Sequence, residues 1–535
     1  MKLFHFCSNP MFIRMWRLWI FFVLFFVFPT PLKAETVDFL QPKILGIEKS
    51  IVCSDKQTDC HSVFLISGKN FLNSNGTLGV RVGNEWAQVI RRTNSSLVAT
   101  ASKAAYEKTP IVSVDTTIMR LQLFSSDPVL VSLFEESVDV AIDSIGVTSN
   151  GTRYLRAGPK YDSPERVYYR DSYWASGLVL MIEPYVIRDQ IELLASGVEP
   201  NGSTPSAITV NPQDTKIPLW VDHFDSGSYF VMLVYDYVRW TGDFSILNER
   251  VNGRTIFTTM EDIVSYLSDK DSNGNYLPEK SKNSLQDWLD NIPRSGEVFS
   301  NEVLYYRALR NLVDLANAFG EPQHAQSFHR QSLLVRYQIN KLFWNKKGGY
   351  YYESCYRRVC EDRITNESAL AILYDVATPE QRDSLFKQLK TLESVNNPDI
   401  AYGDWGVLNA WPLYKGFTPY HYQNGTDWAF LDGINAGARL KYANNDWYYP
   451  LTRWWTYHKE TDSETFLPEY VSPVDKQAGD QQAWSVNPMV SFVRYGMGID
   501  PDLNGSYTVT SFPDVDARIE GMVLRGKRVE IDTNR

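Results

Sequence analysis

The spacing of apolar residues changes twice along the 535-residue chain. From residue 36 to about 150, short alternating runs such as HSVFLISGKNF (61–71) are separated by Asn, Gly and Ser, which is typical of strands and turns. From about residue 155, apolar residues recur at helical spacing. The alternation returns in RIEGMVLRGKRVEID (518–532) and predicts a terminal β-hairpin.

Five segments of the middle region predict helices. They are 226–242, 255–269, 297–319, 326–344 and 379–392. In the third, Val303, Tyr306, Leu309 and Leu312 lie on one helical face, and Gly320 ends the helix. Loops rich in aromatic and acidic residues follow these helices. The pattern predicts a mainly α toroid whose helices carry a rim of functional loops.

The N-terminus has the features of a targeting segment. Lys2, Arg14 and Arg17 precede the apolar run LWIFFVLFFVF (18–28), and a small residue, Ala34, precedes Glu35. This order predicts a secretory signal, with a retained signal anchor as the alternative, although the run is short for a spanning helix. We therefore expect an exported protein without stable membrane insertion. The predicted domains are a signal at 1–34, a β-sandwich at 35–150, a catalytic domain at 151–500 and a tail at 501–535.

Charge and cysteine content narrow the functional classes. The net charge is −10 and the chain has no extended basic cluster, which disfavours nucleic acid as a partner. After the signal, four cysteines form two close pairs, Cys53/Cys60 and Cys355/Cys360, which predict two local disulfides. The 14% aromatic content suits either sugar binding or an aromatic core. Seven sequons permit glycosylation, at Asn75, Asn94, Asn150, Asn201, Asn366, Asn424 and Asn504.

No common cofactor or nucleophile motif is present. The sequence lacks H-E-x-x-H, G-x-S-x-G, a phosphate loop and a dinucleotide fingerprint. The stretch DKDSNGNYLPEK (269–280) imitates a calcium loop, but Lys280 stands where a bidentate Glu is needed. We interpret it as a turn after a helix, with calcium as the one ion it could hold. No cofactor is otherwise expected.

Six loops combine acids with aromatic residues at helix boundaries. They are YYRDSYW (168–174), LWVDHFDSG (219–227), QDWLDNIPRSGE (286–297), YGDWG (402–406), YHYQNGTDWAFLDG (420–433) and LPEYVSP with DQQAWS (467–485). Glycosidic bond cleavage requires one carboxyl that keeps its proton in an apolar setting and a second that activates water. These loops therefore favour a sugar-cleaving site.

Four of these loops carry a family resemblance. YYRDSYW (168–174) resembles an early W/R-D-S-Y/F element that lines a terminal sugar subsite, and YQNGTDW (422–428) resembles a Y-x-N-G-x-x-W element. DWLDNIPRSGEVFSNEVLYYRAL (287–309) resembles the stretch of glycogen debranching enzymes in which W-M-D is followed by P-R-x-G and a helix. It also resembles the L-D-N-S-P of processing α-glucosidases. LPEYVSPVDKQAGDQQAWSV (467–486) resembles a late segment of the same proteins. Residues 155–500 thus resemble (α/α)6-barrel glycoside hydrolases, including trehalases and bacterial mannosylglycerate and glucosylglycerate hydrolases. The stretches PKILGIE, VFLISGKNF, LGVRVGNEWAQVI and SSLVATA, within residues 42–101, resemble an immunoglobulin-like IPT/TIG module.

The resemblance implies roles for particular residues. Asp290 would be the general acid and Glu469 the general base. The resemblance also implies sugar-subsite roles for Arg170, Asp171, Trp174, Tyr422, Asn424 and Trp428. The acid–aromatic loops add Asp222, Asp287, Trp288, Trp405 and Trp484 as expected substrate-binding residues. The implied reaction is inverting, exo-acting hydrolysis of an α-glucoside, for which the two carboxyls should lie roughly 6.5–9.5 Å apart.

Several of these residues, and the function itself, have alternative interpretations. Asp287 could replace Asp290 as the acid, Asp480 could replace Glu469 as the base, and Arg170 with Asp171 could form a structural ion pair. The sequence departs from the debranching enzymes at Ser300, where they have Glu. A non-catalytic carbohydrate-binding or surface protein on the same scaffold is therefore one alternative, and an (α/α) polysaccharide lyase is another.

Overall fold

The computed structural model describes strands between residues 43 and 115 and most of the chain from 121 to 533. The gaps in the second part are 149–150, 162–164, 211–216, 463–465, 476–478 and 510–515. The predicted signal at 1–34 lies outside the described residues. No helix within the described ranges is both long and apolar enough to cross a bilayer.

The N-terminal strands form one antiparallel sheet in the order β1-β2-β5-β4-β3-β6. The strands are β1 Lys43–Cys53, β2 Cys60–Lys69, β3 Gly79–Val82, β4 Glu85–Arg92, β5 Ser96–Ser102 and β6 Val112–Asp115. They lie where the alternating runs predict strands. Cys53 is the register partner of Cys60 in the β1–β2 pair, while the positions of their side chains, and hence the predicted disulfide, lie outside the described structure.

A helix follows the sheet where the sequence pattern predicted only β-structure. Helix α1 spans Pro128–Asp143, and Asp127 caps it by accepting hydrogen bonds from the backbone of Val129 and Leu130. Pro128 occupies the first turn, where a missing N–H costs nothing. The predicted β-sandwich at 35–150 is therefore wrong over this segment. The β-branched residues at the start of PVLVSLFEESVDVAID favour a strand, but the segment forms a capped amphipathic helix.

The remaining helices build the mainly α body that the sequence predicts. They are α2 Tyr169–Ile182, α3 Pro184–Ala195, α4 Ser226–Thr241, α5 Ile256–Asp269, α6 Phe299–Phe319, α7 Pro322–Phe343, α8 Ala369–Leu373, α9 Pro379–Leu389, α10 Ala429–Lys441, α11 Tyr448–Thr461 and α12 Asn487–Ser491. Helices α6 and α7 pack together across a tight turn, in which Gly320 adopts a φ of 89°. Left-handed backbone favours glycine at such a helix end.

Short strands in several small sheets lie between the helices and after the last of them. They are β7 Gln122–Ser125, β8 Ile145–Val147, β9 Arg153–Leu155, β10 Arg166–Tyr168, β11 Ala207–Thr209, β12 Ile217–Leu219, β13 Arg250–Val251, β14 Arg254–Thr255, β15 Lys280–Ser284, β16 Arg294–Val298, β17 Trp344–Asn345, β18 Tyr350–Tyr351, β19 Ser354–Tyr356, β20 Val359–Cys360, β21 Ile364–Thr365, β22 Ala410–Trp411, β23 Ala517–Leu524 and β24 Lys527–Asp532. The predicted terminal hairpin is β23–β24, and β7 adds a third strand to it.

The sheet β15-β16-β19-β20 positions the loop that carries Asp290. That loop joins β15 to β16, which pairs with β19. The predicted disulfide between Cys355 and Cys360 is formed and closes the β19–β20 hairpin. The hairpin is therefore covalently fixed next to the strand from which α6 begins.

Candidate active site

The 285–293 loop places its two aspartates in different surroundings. Asp287 is fully buried, and both Lys280 and Arg294 pair with it. Burial disfavours the Asp287 anion, but Arg294 and Lys280 outweigh burial and lower its pKa. A carboxylate held ionised in this way is a poor proton donor. Substrate contact was expected of Asp287, but its position instead makes it a support for the loop.

Asp290 is half-buried and retains the features of a proton donor. Burial raises the pKa of its carboxyl, with Arg170 and a hydrogen bond from Tyr422 opposing the shift. The Tyr422 hydroxyl donates to Oδ2 of Asp290 at 3.3 Å. The other oxygen, Oδ1, is buried and has no hydrogen-bond partner within the described chain. A raised pKa and a free oxygen suit a carboxyl that transfers a proton to a ligand.

Glu469 belongs to the same group of interacting carboxyls. Burial raises its pKa to about 8, and repulsion from Asp171, Asp290 and Asp480 adds to the shift, while a hydrogen bond with Tyr161 opposes it. The backbone N–H of Glu469 donates to the carbonyl of Asp480 at 3.0 Å. The structure therefore brings the predicted acid and the predicted base into one electrostatic cluster with Asp171 and Asp480.

A glycine fixes the space around Glu469. Gly479 has a φ of 81°, and a Cβ added there would lie 2.5 Å from the Cβ of Glu469. Both the left-handed backbone and the close approach require the absence of a side chain. The segment before Glu469 is held in turn by Ser485, whose hydroxyl donates to the carbonyl of Pro468 at 2.7 Å.

Helix α2 brings Arg170 and Asp171 to the cluster, and the two side chains have different partners. Arg170 pairs with Asp225 at 2.8 Å, and Asp225 in turn contacts Nδ1 of His223 at 2.7 Å. Burial raises the pKa of Asp171 to about 6 against the opposing effect of Arg170, and Gln482 donates to Oδ1 of Asp171 at 2.9 Å. Arg170 therefore has a structural ion pair, but with Asp225 instead of its neighbour.

Four of the predicted tryptophans lie in one aromatic cluster next to these carboxyls. Its ring contacts join Trp174, Trp288, Trp428 and Trp484 through Phe430. Tyr422, which contacts Asp290, packs edge-on against Trp428 with ring centroids 5.3 Å apart. These rings supply the apolar setting that raises the pKa of Asp290.

Unsatisfied polar atoms accumulate around this cluster. Buried atoms without a hydrogen-bond partner in the described chain include Oδ1 of Asp290, Nε1 of Trp288, Nε1 of Trp484 and Oε1 of Gln482. Leaving a buried donor or acceptor unpaired costs about 1–3 kcal/mol. Two donors and two acceptors next to aromatic rings are what the hydroxyl groups of a sugar would satisfy.

Three other predicted binding residues are engaged in local structure. Asn424 is buried, and its side chain accepts from the N–H of Tyr414 and donates to the carbonyls of Tyr414, Phe417 and Thr418. We expected substrate contact, but these bonds make Asn424 a clamp for the 414–418 loop. Its sequon is inaccessible in the folded chain because the side chain is buried.

Asp222 and Trp405 contact residues outside the carboxyl cluster. Asp222 accepts a hydrogen bond from Tyr266 and pairs with Lys270 at 3.0 Å. Trp405 is buried and packs edge-on against Tyr420, with ring centroids 6.0 Å apart. Both were predicted to bind substrate, and both instead have structural partners.

Several contributing residues were missed by the sequence reasoning. Tyr161, Gln423 and Gln482 contact predicted site residues, and Gln423 does so by donating to the carbonyl of Trp288. His223 contacts Asp225, the ion-pair partner of Arg170. Tyr161 precedes the YYRDSYW loop by only seven residues. Its position close to that loop is the sequence feature that could have indicated Tyr161. Gln423 and Gln482 are uncharged, so no charge pattern indicates them.

The loop that imitates a calcium site is a turn. The Asp271 carboxylate accepts from the backbone N–H groups of Asn275 and Tyr276, and the Asn275 side chain accepts from that of Leu277. Within the described ranges, no three His, Cys, Asp or Glu side chains are arranged to hold a metal ion. The hydrogen bonds of Asp271 and Asn275 are those of the turn that the sequence predicts after α5.

Comparison with known proteins identifies the fold. Residues 180–414 match the sequence profile of the bacterial alpha-L-rhamnosidase 6 hairpin glycosidase domain. The fold is that of a six-hairpin glycosidase. The predicted resemblance to (α/α)6-barrel glycosidases and the predicted fold class are thereby confirmed. No curated protein matches the sequence.

Solved structures agree on this fold. The GH78 family rhamnosidase of a Bacillus species aligns with a TM-score of 0.60 at 14% identity, covering 91% of this chain and 51% of that one. This chain therefore spans about half the length of that rhamnosidase. The rhamnosidase from Klebsiella oxytoca with rhamnose bound aligns with a TM-score of 0.54 at 14% identity, covering 83% and 88%. The GH63 mannosylglycerate hydrolase from Thermus thermophilus aligns with a TM-score of 0.50 at 12% identity, covering 68% and 100%.

Proposed function

We propose that this protein is an exported, exo-acting glycoside hydrolase that works with inversion. Asp290 protonates the glycosidic oxygen and Glu469 deprotonates the attacking water. The single observation that carries the proposal is the cluster in which Asp290, Glu469 and Asp171 share one electrostatic environment beside the tryptophans. Other scaffolds for sugar binding do not require carboxyls with raised pKa values.

The surroundings of the two carboxyls support different roles for them, Asp290 as the proton donor and Glu469 as the base. Asp290 has an apolar flank and an oxygen without a partner in the described chain, as a proton donor requires. Glu469 lies among other acids, and a hydrogen bond from Tyr161 favours its anion. When Asp290 carries the proton, it no longer repels Glu469, so one proton shared by the pair gives the reactive state.

Two sugars are candidates for the cleaved residue. The motifs around Asp290 resemble those of α-glucosidases, which makes an α-glucoside the substrate we propose first. The match of residues 180–414 to the alpha-L-rhamnosidase domain favours an α-L-rhamnoside as the second candidate. A panel of aryl α-glucoside, aryl α-L-rhamnoside, trehalose, maltose and glucosylglycerate separates these possibilities by product release.

The decisive experiment compares Asp290→Asn and Glu469→Gln with the native enzyme. A general acid or base contributes typically 10²–10⁴-fold, so both variants should lose at least a hundredfold in kcat/KM. The anomeric form of the first product, followed by NMR, should show inversion. If Asp290→Asn keeps activity within tenfold of the native enzyme, the assignment of the acid is wrong. Retention of configuration would overturn the proposed roles of both carboxyls.

The leaving group distinguishes the acid from the base. A good leaving group such as dinitrophenolate needs no protonation, so Asp290→Asn should recover much of its activity on that aryl glycoside. Glu469→Gln should remain inactive on it, since water activation is still required. The reverse pattern would exchange the two roles.

A further inference from the structure

A cavity lies outside the carboxyl cluster. It has a volume of 1310 Å³ and lies between the 269–282 loop, the end of α7 and the β19–β20 hairpin. None of the residues lining it belongs to the predicted catalytic or sugar-binding set. The cavity is therefore separate from the candidate active site, although Lys280 lines it and also pairs with Asp287.

The rim of this cavity is positively charged. Lys282, Lys341, Arg357 and Arg358 line it, are exposed, and form no ion pair with a described residue. The one exposed acid in the lining is Asp269. An excess of cations on a chain with a net charge of −10 is a local feature that the overall composition does not explain.

The interior of the cavity is polar and suited to hydroxyl groups. Asn273 and Asn275 line it and donate to the buried Glu297 at 2.9 and 2.8 Å, and Glu279 accepts from Asn273 at 2.8 Å. The ring of Tyr356 adds an aromatic surface to the lining. Amides, carboxylates and a ring are the groups that commonly bind sugars.

Two of the rim arginines occupy unusual backbone positions. Arg357 and Arg358 form the two-residue turn of the β19–β20 hairpin, with φ values of 51° and 66°. Such turns strongly favour Asn-Gly because both residues have positive φ. The disulfide between Cys355 and Cys360 closes this hairpin. Two strained arginines on a covalently fixed turn suggest a functional use of their charge.

The Asp290 loop and this cavity occupy the two ends of one hairpin. Lys280 and Glu297 line the cavity, and the strands β15 and β16 lead from them to the 285–293 loop. The paired ends of this hairpin, Lys280 with Gly296 and Ser284 with Arg294, are two residues apart on β16, which is about 7 Å along the strand. A chain of several linked sugars, with its terminal residue at Asp290, could reach the cavity along the hairpin.

We propose that this cavity is a remote binding site for an acidic glycan chain. Carboxylate groups on the glycan pair with Lys282, Arg357 and Arg358, and its hydroxyl groups meet the polar interior. The inference rests on the proposed function, because the glycan chain bound in this cavity is also the substrate cleaved at Asp290. It narrows the substrate class to the end of an anionic oligo- or polysaccharide.

Binding of polygalacturonate, with neutral dextran as the comparison, tests the site. Calorimetry uses the full chain carrying Asp290→Asn, so that no turnover occurs. Adding Lys282→Gln, Arg357→Gln and Arg358→Gln should weaken binding of polygalacturonate at least tenfold. The double change Lys282→Gln with Lys341→Gln leaves the turn intact and should weaken binding at least threefold. Dextran should bind more weakly than polygalacturonate and equally to all forms.

A matched control carries the same change of charge elsewhere on the surface. Lys387→Gln, Lys415→Gln and Lys527→Gln are exposed positions outside the cavity and should leave binding unchanged. The proposed site is wrong if the control and the triple variant bind polygalacturonate equally. It is also wrong if the protein with the native rim residues binds polygalacturonate no more tightly than dextran.

Hydrolysis of a small neutral aryl glycoside separates this inference from the proposed function. The triple variant with native Asp290 should hydrolyse it within twofold of the native rate, because the rim is remote from the reacting bond. Loss of glycan binding together with unchanged hydrolysis supports both proposals. If the native enzyme hydrolyses no glycoside but binds polygalacturonate through the rim, only the proposed function fails.

Discussion

Glu469 combines a proposed role as a base with a pKa of about 8. Burial is the first cause, and the repulsion of Asp171, Asp290 and Asp480 adds to it. A base must be ionised, so the reactive fraction at neutral pH depends on which carboxyl of the cluster carries the proton. The observable pKa values accordingly belong to the cluster as a whole. Residues that change the balance between Glu469 and Asp290 should therefore change the pH profile of the enzyme.

Tyr161 is one such residue. Its hydrogen bond favours the Glu469 anion, so Tyr161→Phe should raise the pKa of Glu469. A net hydrogen bond contributes about 0.5–1.5 kcal/mol, which corresponds to a shift of up to roughly one pH unit. We expect the kcat/KM profile between pH 5 and 9 to move to higher pH by that amount. An unchanged profile would show that Tyr161 does not control the protonation of Glu469.

Gly479 offers a steric test of the position of Glu469. Gly479→Ala puts a Cβ within 2.5 Å of the Glu469 side chain, and the displaced carboxylate should lower kcat by at least tenfold. Gly403→Ala is the matched control, since Gly403 also has a positive φ, 71°, but no atom within 4 Å of an added Cβ. Assays of both variants separate backbone strain from the clash. Equal losses in the two would contradict a specific role for Gly479.

At the scale of elements, the Asp290 loop depends on the ion pairs beneath it. Lys280→Met leaves the buried Asp287 with Arg294 alone. Breaking a buried pair from one side costs about 3–5 kcal/mol, so thermal unfolding should occur at a clearly lower temperature. Lys390→Met removes the exposed pair with Asp446 and should cost less than about 1 kcal/mol. Similar melting temperatures for both variants would argue against a supporting role for Asp287.

The predicted helices include segments that are almost fully buried. Helix α6 is predicted to within two residues because Val303, Tyr306, Leu309 and Leu312 recur at helical spacing, although most of its residues are buried. Helix α2 was missed because its first residues form the acid–aromatic stretch YYRDSYW, which was interpreted as a loop, although nearly every residue from Tyr169 to Met181 is buried. Helix α10 has the same all-round burial and two glycines, Gly433 and Gly437. Helix α4 is buried from Ser226 to Trp240 and is nevertheless predicted, so burial alone does not conceal a helix.

The site could be predicted as a set of loops, but the role of each side chain could not. The flanking tryptophan and proline identified the Asp290 loop. The separation of Asp290 from Asp287 depends on Lys280 and Arg294, whose pairing only the β15–β16 register creates. Likewise, Asn424 belongs to a sugar-binding motif in sequence, yet its bonds to the 414–418 backbone are set by the folding of that loop. Long-range partners decide which polar residue faces a ligand.

At the scale of the whole molecule, buried carboxyls should make stability depend on pH. The pKa is raised to about 8 for Glu469, about 7 for Asp427 and about 6 for Asp171, in each case chiefly by burial. A carboxyl of this kind binds its proton in the folded state at pH values where the unfolded chain has lost it. Stability therefore falls as pH rises from about 4, the unfolded value, to the folded value. The lowered pKa values of Asp225 and Asp287 reduce stability only below about pH 4. The melting temperature should accordingly be highest at about pH 4, where the two effects meet.

The pair formed by Asp427 and Asp432 tests this expectation most directly. Both side chains are fully buried and hydrogen-bonded to each other, and Oδ2 of Asp427 also accepts from the N–H of Val407 at 2.7 Å. Asp427→Asn can keep both contacts while removing one titrating group. The decline in stability between pH 5 and 7 should become shallower by up to about 1.4 kcal/mol per pH unit. Asp383→Asn, at an exposed position, should leave the slope unchanged. Parallel melting curves for native protein and Asp427→Asn across this range would show that the pair does not exchange a proton on unfolding.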